Sequence, residues 1–323
     1  MKELDITHNE ANQRIDRFLK KYMSEASTGY LYKMLRKKRI KVNGAKVQPD
    51  YILNMGDKIQ LYLSEDTMRK FQKKPSLTFA KGQLNIVYED CNILLLNKPK
   101  NLLVHGDNRE NVHTLINQVH SYLYLQGDYD PEKENTFAPA CCNRLDRNTS
   151  GIMIIAKNFP TLQEINKMIK ENNVIKKYRA LVKGEIKDAK ELKGFWVKDS
   201  STNKVEIIHH KTKDAKFIHT KYKPIESNHE YTLLEIDLIT GRSHQIRAHL
   251  ASEGFPIIGD MKYGIRKINR TFYNQYHLNS QFLHAYSLKF QNCPEFLSYL
   301  ENRMFEAELP KTLLEITQMI FHK

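Results

Sequence analysis

Apolar residues recur along the first sixty positions with two different periods. Ile15, Phe18, Leu19 and Tyr22 are spaced three and four apart, as are Leu31, Met34 and Leu35 after Ser27-Thr28-Gly29. That spacing turns one stripe of each segment toward a core and predicts two helices. The period then shortens to two. Ile40-Lys41-Val42 alternates, Asn43-Gly44 signals a hairpin, and Ala45-Lys46-Val47 continues it; Gly56-Asp57 turns again, and Ile59, Leu61 and Leu63 line one face of a last strand. Residues 1–64 are therefore expected to form a small α/β unit. Residues 65–83 have weak periodicity and read as a linker. Beyond it, strand-like runs at 84–88, 93–97, 152–155, 178–182, 231–238 and 288–290 are interspersed with helical patterns at 113–126, 161–171 and 245–253. Residues 294–323 look helical with a break at Pro310. A mixed domain of catalytic size is expected over 84–323.

Charge narrows the picture. Among 323 residues, 51 Lys+Arg stand against 37 Asp+Glu, a formal net charge of +14, which points to a polyanionic partner. The excess is concentrated. Between Arg14 and Lys46 lie Lys33, Arg36, Lys37, Lys38 and Arg39 among other cations, opposed only by Asp16 and Glu25. A face of unpaired cations repels itself until a polyanion neutralises it. With 41% hydrophobic residues the chain can build a core, so a wholly disordered basic protein is excluded. The longest apolar runs, 93–96 and 151–156, fall far short of the roughly 18–20 residues of a membrane span. No signal or transit pattern opens the chain, and a cytoplasmic protein is expected. Cys91, Cys141, Cys142 and Cys293 show no C-x-x-C spacing and read as reduced thiols.

Three stretches could carry chemistry. In Asn143-Arg144-Leu145-Asp146-Arg147, an acid flanked by two arginines leads through a polar turn into an apolar strand. Neighbouring cations favour the anion, which suits a nucleophile or base; an Asp that only caps the turn is the plainer alternative. In Gly241-Arg242-Ser243-His244-Gln245, donors crowd the start of a helix that continues to Arg247, a natural oxyanion or phosphate site or else a solvated cap. Tyr178 shares a strand face with Ala180 and Val182, a placement common for core tyrosines. Phosphate-loop and dinucleotide fingerprints are absent, and His244 and His249 are five apart without H-E-x-x-H, so neither a cofactor nor a metal is expected.

Together these stretches resemble the RluA-type pseudouridine synthases that carry an N-terminal S4 RNA-binding domain. The family pattern H-R-L-D-x-x-T-S-G is matched by 143–151, with Asn143 in the His position. K-x-Y-x-A-x-V-x-G is matched by 176–184. G-R-[TS]-H-Q-[IL]-R is matched by 241–247 and continues as H-L-A-x-x-G-x-P-I-x-G-D-x-x-Y-G over 249–264. The resemblance runs in order from about residue 10 to 290. It implies an α+β fold: a mixed, mainly antiparallel sheet in the catalytic domain, preceded by the small S4 domain.

The resemblance also implies roles. Asp146 would be the catalytic carboxylate and Arg247 its ion-pair partner. Tyr178 would stack on the flipped uracil and pass a proton, and Arg144 would occupy the space the base vacates. Arg242, His244, Gln245 and the basic face of Lys33, Arg36, Lys37, Lys38 and Arg39 would hold RNA. Isomerising uridine breaks N1–C1′, turns the base and joins C5 to C1′; a base inside a duplex must first be flipped out. An ionised carboxylate can attack C1′ or take a proton from C2′, and the residues leave both routes open. Large-subunit ribosomal RNA is the expected substrate and transfer RNA the second choice, with no membrane or metal partner; no residue pattern indicates an oligomeric state. An inactive RNA-binding assembly factor on the same fold is the competing reading. Asn143 is expected to alter local hydrogen bonding without removing activity.

Overall fold

The computed structural model describes residues 1–72, 78–80, 82–106, 112–199 and 204–322. In the N-terminal unit, Ile15, Phe18, Leu19, Leu31 and Leu35 bury the predicted stripes of helices Ile15–Tyr22 and Thr28–Arg36 against Ile40, Ile59 and Leu61. Ser27 starts the second helix, its hydroxyl accepting from Tyr30 N at 3.2 Å. Both helices belong to a unit with an antiparallel sheet ordered Lys2–Asp5, Lys58–Leu61, Ile40–Val42.

Two expectations change here. The Asn43-Gly44 turn closes on a single bridge from Val42 to Ala45, because Ile40–Val42 takes its ladder partner from Lys58–Leu61 instead. The linker reading is corrected over its first part: Glu65–Phe71 is a helix. Met68 buries into the N-terminal core and Phe71 packs on Tyr30 with ring centres 4.7 Å apart, which holds this short helix in place. Positions 73–77 and 81 of the expected linker lie outside the described residues.

The larger unit is built on one eleven-stranded sheet. Its main path runs Lys204–Ile208, Lys190–Asp199, Lys216–Ser227, Tyr231–Leu238, Val174–Lys183, Leu283–Phe290, Ser150–Ala156, Ile93–Lys98, Ile86–Glu89. Lys190–Asp199 and Lys216–Ser227 were not anticipated from the sequence. Near the centre, apolar runs are buried on both faces. Leu94, Leu96, Met153 and Ile155 join one core with helix Leu115–Gln126, whereas Ile93, Leu95, Ile152 and Ile154 join another with helix Phe159–Lys170. A strand covered on both sides needs no polar alternation, which explains those runs.

One seam of this sheet sets up the site. Ser150–Ala156 and Leu283–Phe290 pair in parallel, whereas the other neighbours along the path are antiparallel among the described residues. Ala285 stands opposite Gly151 on one side and Tyr178 on the other. Gly151 has φ +118°, and a Cβ there would fall 2.1 Å from Ala285 O, so only glycine permits this approach. Ser150 Oγ and His284 Nδ1, 2.9 Å apart, reinforce the seam, and His284 Nε2 lies 3.0 Å from Ala307 O.

The C-terminal stretch is helical only in part. Glu295–Leu300 is a 3-10 helix and Met304–Glu306 a short strand on Leu283–Phe290, while Lys311–Phe321 begins its helix directly after Pro310. No helix among the described residues is long and apolar enough to cross a membrane.

Candidate active site

Asp146 lies in the loop that enters strand Ser150–Ala156, and three side chains hold that loop. Asn143 Oδ1 accepts from Ile154 N at 2.8 Å while its Nδ2 donates to Ile152 O at 3.3 Å. Gln281 Nε2 donates to Thr149 Oγ1 at 3.2 Å. Lys98 is fully buried, and its Nζ donates to the carbonyls of Pro99, Leu102 and Arg147 at 2.8, 3.0 and 3.1 Å. Burial pushes the Lys98 amine down to about 7, against the pull of Asp146 toward the charged form.

Helix Gln245–Ser252 supplies Arg247, whose side chain is almost completely buried. Its Nη1 donates to Asp146 Oδ2 at 2.8 Å, while Nε and Nη2 fork onto Asp260 Oδ2 and Oδ1 at 2.7 and 2.9 Å. Asp260 is wholly buried, and its Oδ1 also accepts from the backbone of Lys262 and Tyr263. Burial opposes ionisation of Asp260, but these hydrogen bonds and the Arg247 charge outweigh it and hold its pKa below the usual range. Burial likewise works against the Arg247 charge, and the two carboxylates more than offset it. The consequence falls on Asp146. Its Oδ2 is held, and its Oδ1 makes no hydrogen bond among the described residues and is left for a ligand.

His244 approaches the same carboxylate. Its φ of +56° is left-handed, uncommon for a non-glycine residue, and it caps the helix that carries Arg247. Its Nε2 lies 3.9 Å from Asp146 Oδ2, and its Nδ1 lies 3.0 Å from the Tyr263 hydroxyl. That hydroxyl also accepts from Val205 N at 2.9 Å, which ties the His244 ring to strand Lys204–Ile208. Burial, with the charges of Arg247 and Lys262, lowers the His244 pKa against the pull of Asp146 and Asp260.

Asp146, His244 and Arg247 line a cavity of about 660 Å³. Tyr178 lies on its wall, buried, and burial together with Asp146 raises its pKa, so its hydroxyl is held protonated. Exposed Arg144 and Arg242 stand on the same lining. Gln245 departs from its expected role. It is 2% exposed, its Oε1 accepts from Thr240 Oγ1 and Arg242 N, and its Nε2 donates to His219 O and Thr220 Oγ1. With its amide consumed internally, Gln245 braces the loop and is not free for RNA.

Lys33, Arg36, Lys37, Lys38 and Arg39 are all exposed, on the N-terminal unit. The helix ends at Arg36, and Lys38 turns left-handed with φ +60°, so Lys37, Lys38 and Arg39 leave the helical face that Lys33 and Arg36 share.

Several contributors were missed in the sequence. Trp196, Lys198 and Lys216 line the cavity from strands Lys190–Asp199 and Lys216–Ser227. Trp196 Nε1 donates to Ser243 O at 2.9 Å, tying this wall to the His244 loop. The alternation of Leu192, Gly194 and Trp196 is the signal that could have found them. Asp260 and Tyr263 lay within the matched 249–264 stretch without a role.

Comparison with known proteins shows the family. The family described as RNA pseudouridylate synthase matches residues 92–252, and the S4 domain matches residues 13–59. A ribosomal large subunit pseudouridine synthase C of Buchnera aphidicola (subspecies Baizongia pistaciae) is 32% identical over 291 residues, covering 89% of this chain and 88% of that one. The protein of the same name from Escherichia coli K12 is 31% identical over 294 residues, covering 90% and 88%. An uncharacterized RNA pseudouridine synthase of Mycoplasma capricolum is 30% identical over 310 residues, covering 94% and 96%. Among solved structures, human RNA pseudouridylate synthase domain containing 4 shares the fold at a TM-score of 0.54 and 22% identity, over 71% of this chain and 90% of that one. With these matches spanning most of its length, the chain belongs to the RNA pseudouridylate synthase family, isomerases that act on RNA.

Proposed function

We propose that the chain converts uridine to pseudouridine in large-subunit ribosomal RNA, working in the cytoplasm, with Asp146 as the catalytic group. The relatives named for the ribosomal large subunit support the choice of RNA. The observation that carries the assignment of Asp146 is its divided carboxylate: one oxygen is held by Arg247, the other makes no hydrogen bond among the described residues, and Asp146 lines a cavity walled by Tyr178.

In this reading the target base leaves its stack and enters the cavity. Tyr178 packs against the uracil, and Arg144, exposed and without an internal tether among the described residues, fills the vacated place. Asp146 acts on the ribose through Oδ1. The N1–C1′ bond breaks, the base turns, C5 bonds to C1′, and the C5 proton is lost while N1 gains one, so the product is an isomer of the substrate. Tyr178 acts as a proton donor, since its hydroxyl is held protonated. Arg242 and the basic face of the N-terminal unit hold phosphates.

The test is Asp146→Asn, assayed by carbodiimide primer extension on large-subunit RNA. Pseudouridine formation should vanish while RNA affinity stays within about threefold, since one carboxylate contributes little attraction to a polyanion. Full activity in this variant removes Asp146 from the mechanism.

A further inference from the structure

The N-terminal unit carries a second concavity, of about 280 Å³, between helix Thr28–Arg36 and residues 46–49. Gly29, Tyr32, Lys33 and Arg36 stand at i, i+3, i+4 and i+7, so one helix face supplies a wall. Lys46 supplies a cation from the opposite side, and Leu35 and Val47 make part of the lining apolar. The ion pairs of this unit, among the described residues, join Arg14 to Asp16, Lys58 to Glu3 and Asp5, and Arg69 to Glu65. None engages Lys33, Arg36 or Lys46.

The tyrosine is aimed. Tyr32 donates its hydroxyl proton to Asp16 Oδ2 at 2.9 Å, Arg14 holds the same carboxylate, and 40% of Tyr32 remains exposed. At Gly29 a Cβ would meet nothing within 4 Å, so the groove is open along that side.

Cations alone would serve a uniform phosphate backbone. An accessible aromatic ring, an apolar lining and a concavity just under the ~300 Å³ where small-molecule pockets begin are surplus to that task. They match an unpaired nucleotide, whose base has an apolar face to stack and whose phosphates flank it. We propose that this groove holds one unpaired nucleotide of the RNA, its base against Tyr32 and its flanking phosphates on Lys33, Arg36 and Lys46. The proposal rests on the reading of this unit as an RNA-binding domain and adds a shape requirement: the bound element is single-stranded or bulged there.

The experiment measures binding of the full chain to a single-stranded oligoribonucleotide and to a duplex of equal length, across a salt series. Gly29→Trp sets a bulky ring at a position that lines the groove and leaves every cation in place; Gly29→Ala is the control. The tryptophan variant should bind the single strand about tenfold more weakly with an unchanged log–log salt slope. Its duplex binding should stay within about twofold, and the alanine variant should bind as the parent does. Lys33→Ala and Arg36→Ala should instead each lower the single-strand slope by about 0.7 for every phosphate no longer neutralised. Parental single-strand affinity in Gly29→Trp, or equal loss on single strand and duplex, overturns the pocket while the cationic face stands. Unchanged slopes in both cation variants overturn the RNA-face reading beneath it. If the tryptophan variant does not fold, Tyr32→Leu carries the test, with a loss of about tenfold confined to the single strand as the supporting result.

Discussion

Arg247 in the larger unit's cavity and Lys33, Arg36 and Lys46 in the N-terminal groove are all cations lining a proposed site for RNA, yet they are held in opposite ways. Arg247 is buried and locked between Asp146 and Asp260 through three hydrogen bonds. The groove cations are exposed and engage no carboxylate among the described residues. A buried guanidinium has lost its hydration and must be paired, which makes it rigid. A solvated cation keeps its water until a phosphate displaces counterions, which makes it attractive but mobile. In the proposed function positive charge therefore does two jobs, aiming a carboxylate in one region and gathering a polyanion in the other. Partners and burial separate the two.

The contrast breaks most directly at Arg247. Arg247→Met leaves Asp260 buried without its counter-charge and should cost about 3–5 kcal/mol of folding stability, along with activity. The double substitution Lys33→Ala/Arg36→Ala should stay within about 0.5 kcal/mol of the parent by denaturant titration. Equal stability of the two variants would erase the distinction between locked and solvated cations.

Acid should expose the larger unit before the groove matters. His249 and His284 are each held at a pKa of about 4 by burial. Both are neutral when folded, so their contribution is complete above the unfolded value near 6.5 and is lost as pH falls toward 4. Stability should decline across that window, by at most about 1.4 kcal/mol per pH unit for each histidine. His284→Gln should flatten the decline, and the groove variants should leave it unchanged.

A smaller loss than at Arg247 is expected at Asn143, which stands where the family pattern has histidine. Asn143→Ala removes two hydrogen bonds to strand Ser150–Ala156 and should cost roughly 1 kcal/mol for each in stability. Turnover should fall while RNA affinity holds, because the loop it braces carries Asp146. A loss of affinity without loss of turnover would move Asn143 out of the catalytic region.

Much of this was legible in the residues. The stripes of Ile15–Tyr22 and Thr28–Arg36, the apolar central strands and the helix after Gly241 follow from period and turn chemistry. The strands Lys190–Asp199 and Lys216–Ser227 did not. They lie toward one end of the sheet, and lysines on their exposed positions hide the buried alternation of Leu192, Gly194 and Trp196. Gln245 misled for a related reason. A polar side chain at a helix start reads as a free donor, and only packing against His219 and Thr220 consumed it.

By itself, then, the sequence determined the local elements, the sign and clustering of charge, and the residue types able to do the chemistry, because each depends on neighbours a few positions away. Tertiary structure alone decided which oxygen of Asp146 is free. Arg247 lies 101 positions from Asp146 and 13 from Asp260, and no local rule assigns it to both. Their meeting brings together the loop that enters strand Ser150–Ala156, helix Gln245–Ser252 and the turn at Asp260. Such contacts are set when whole elements pack, since burial of the charged groups is tolerated only where every partner arrives together.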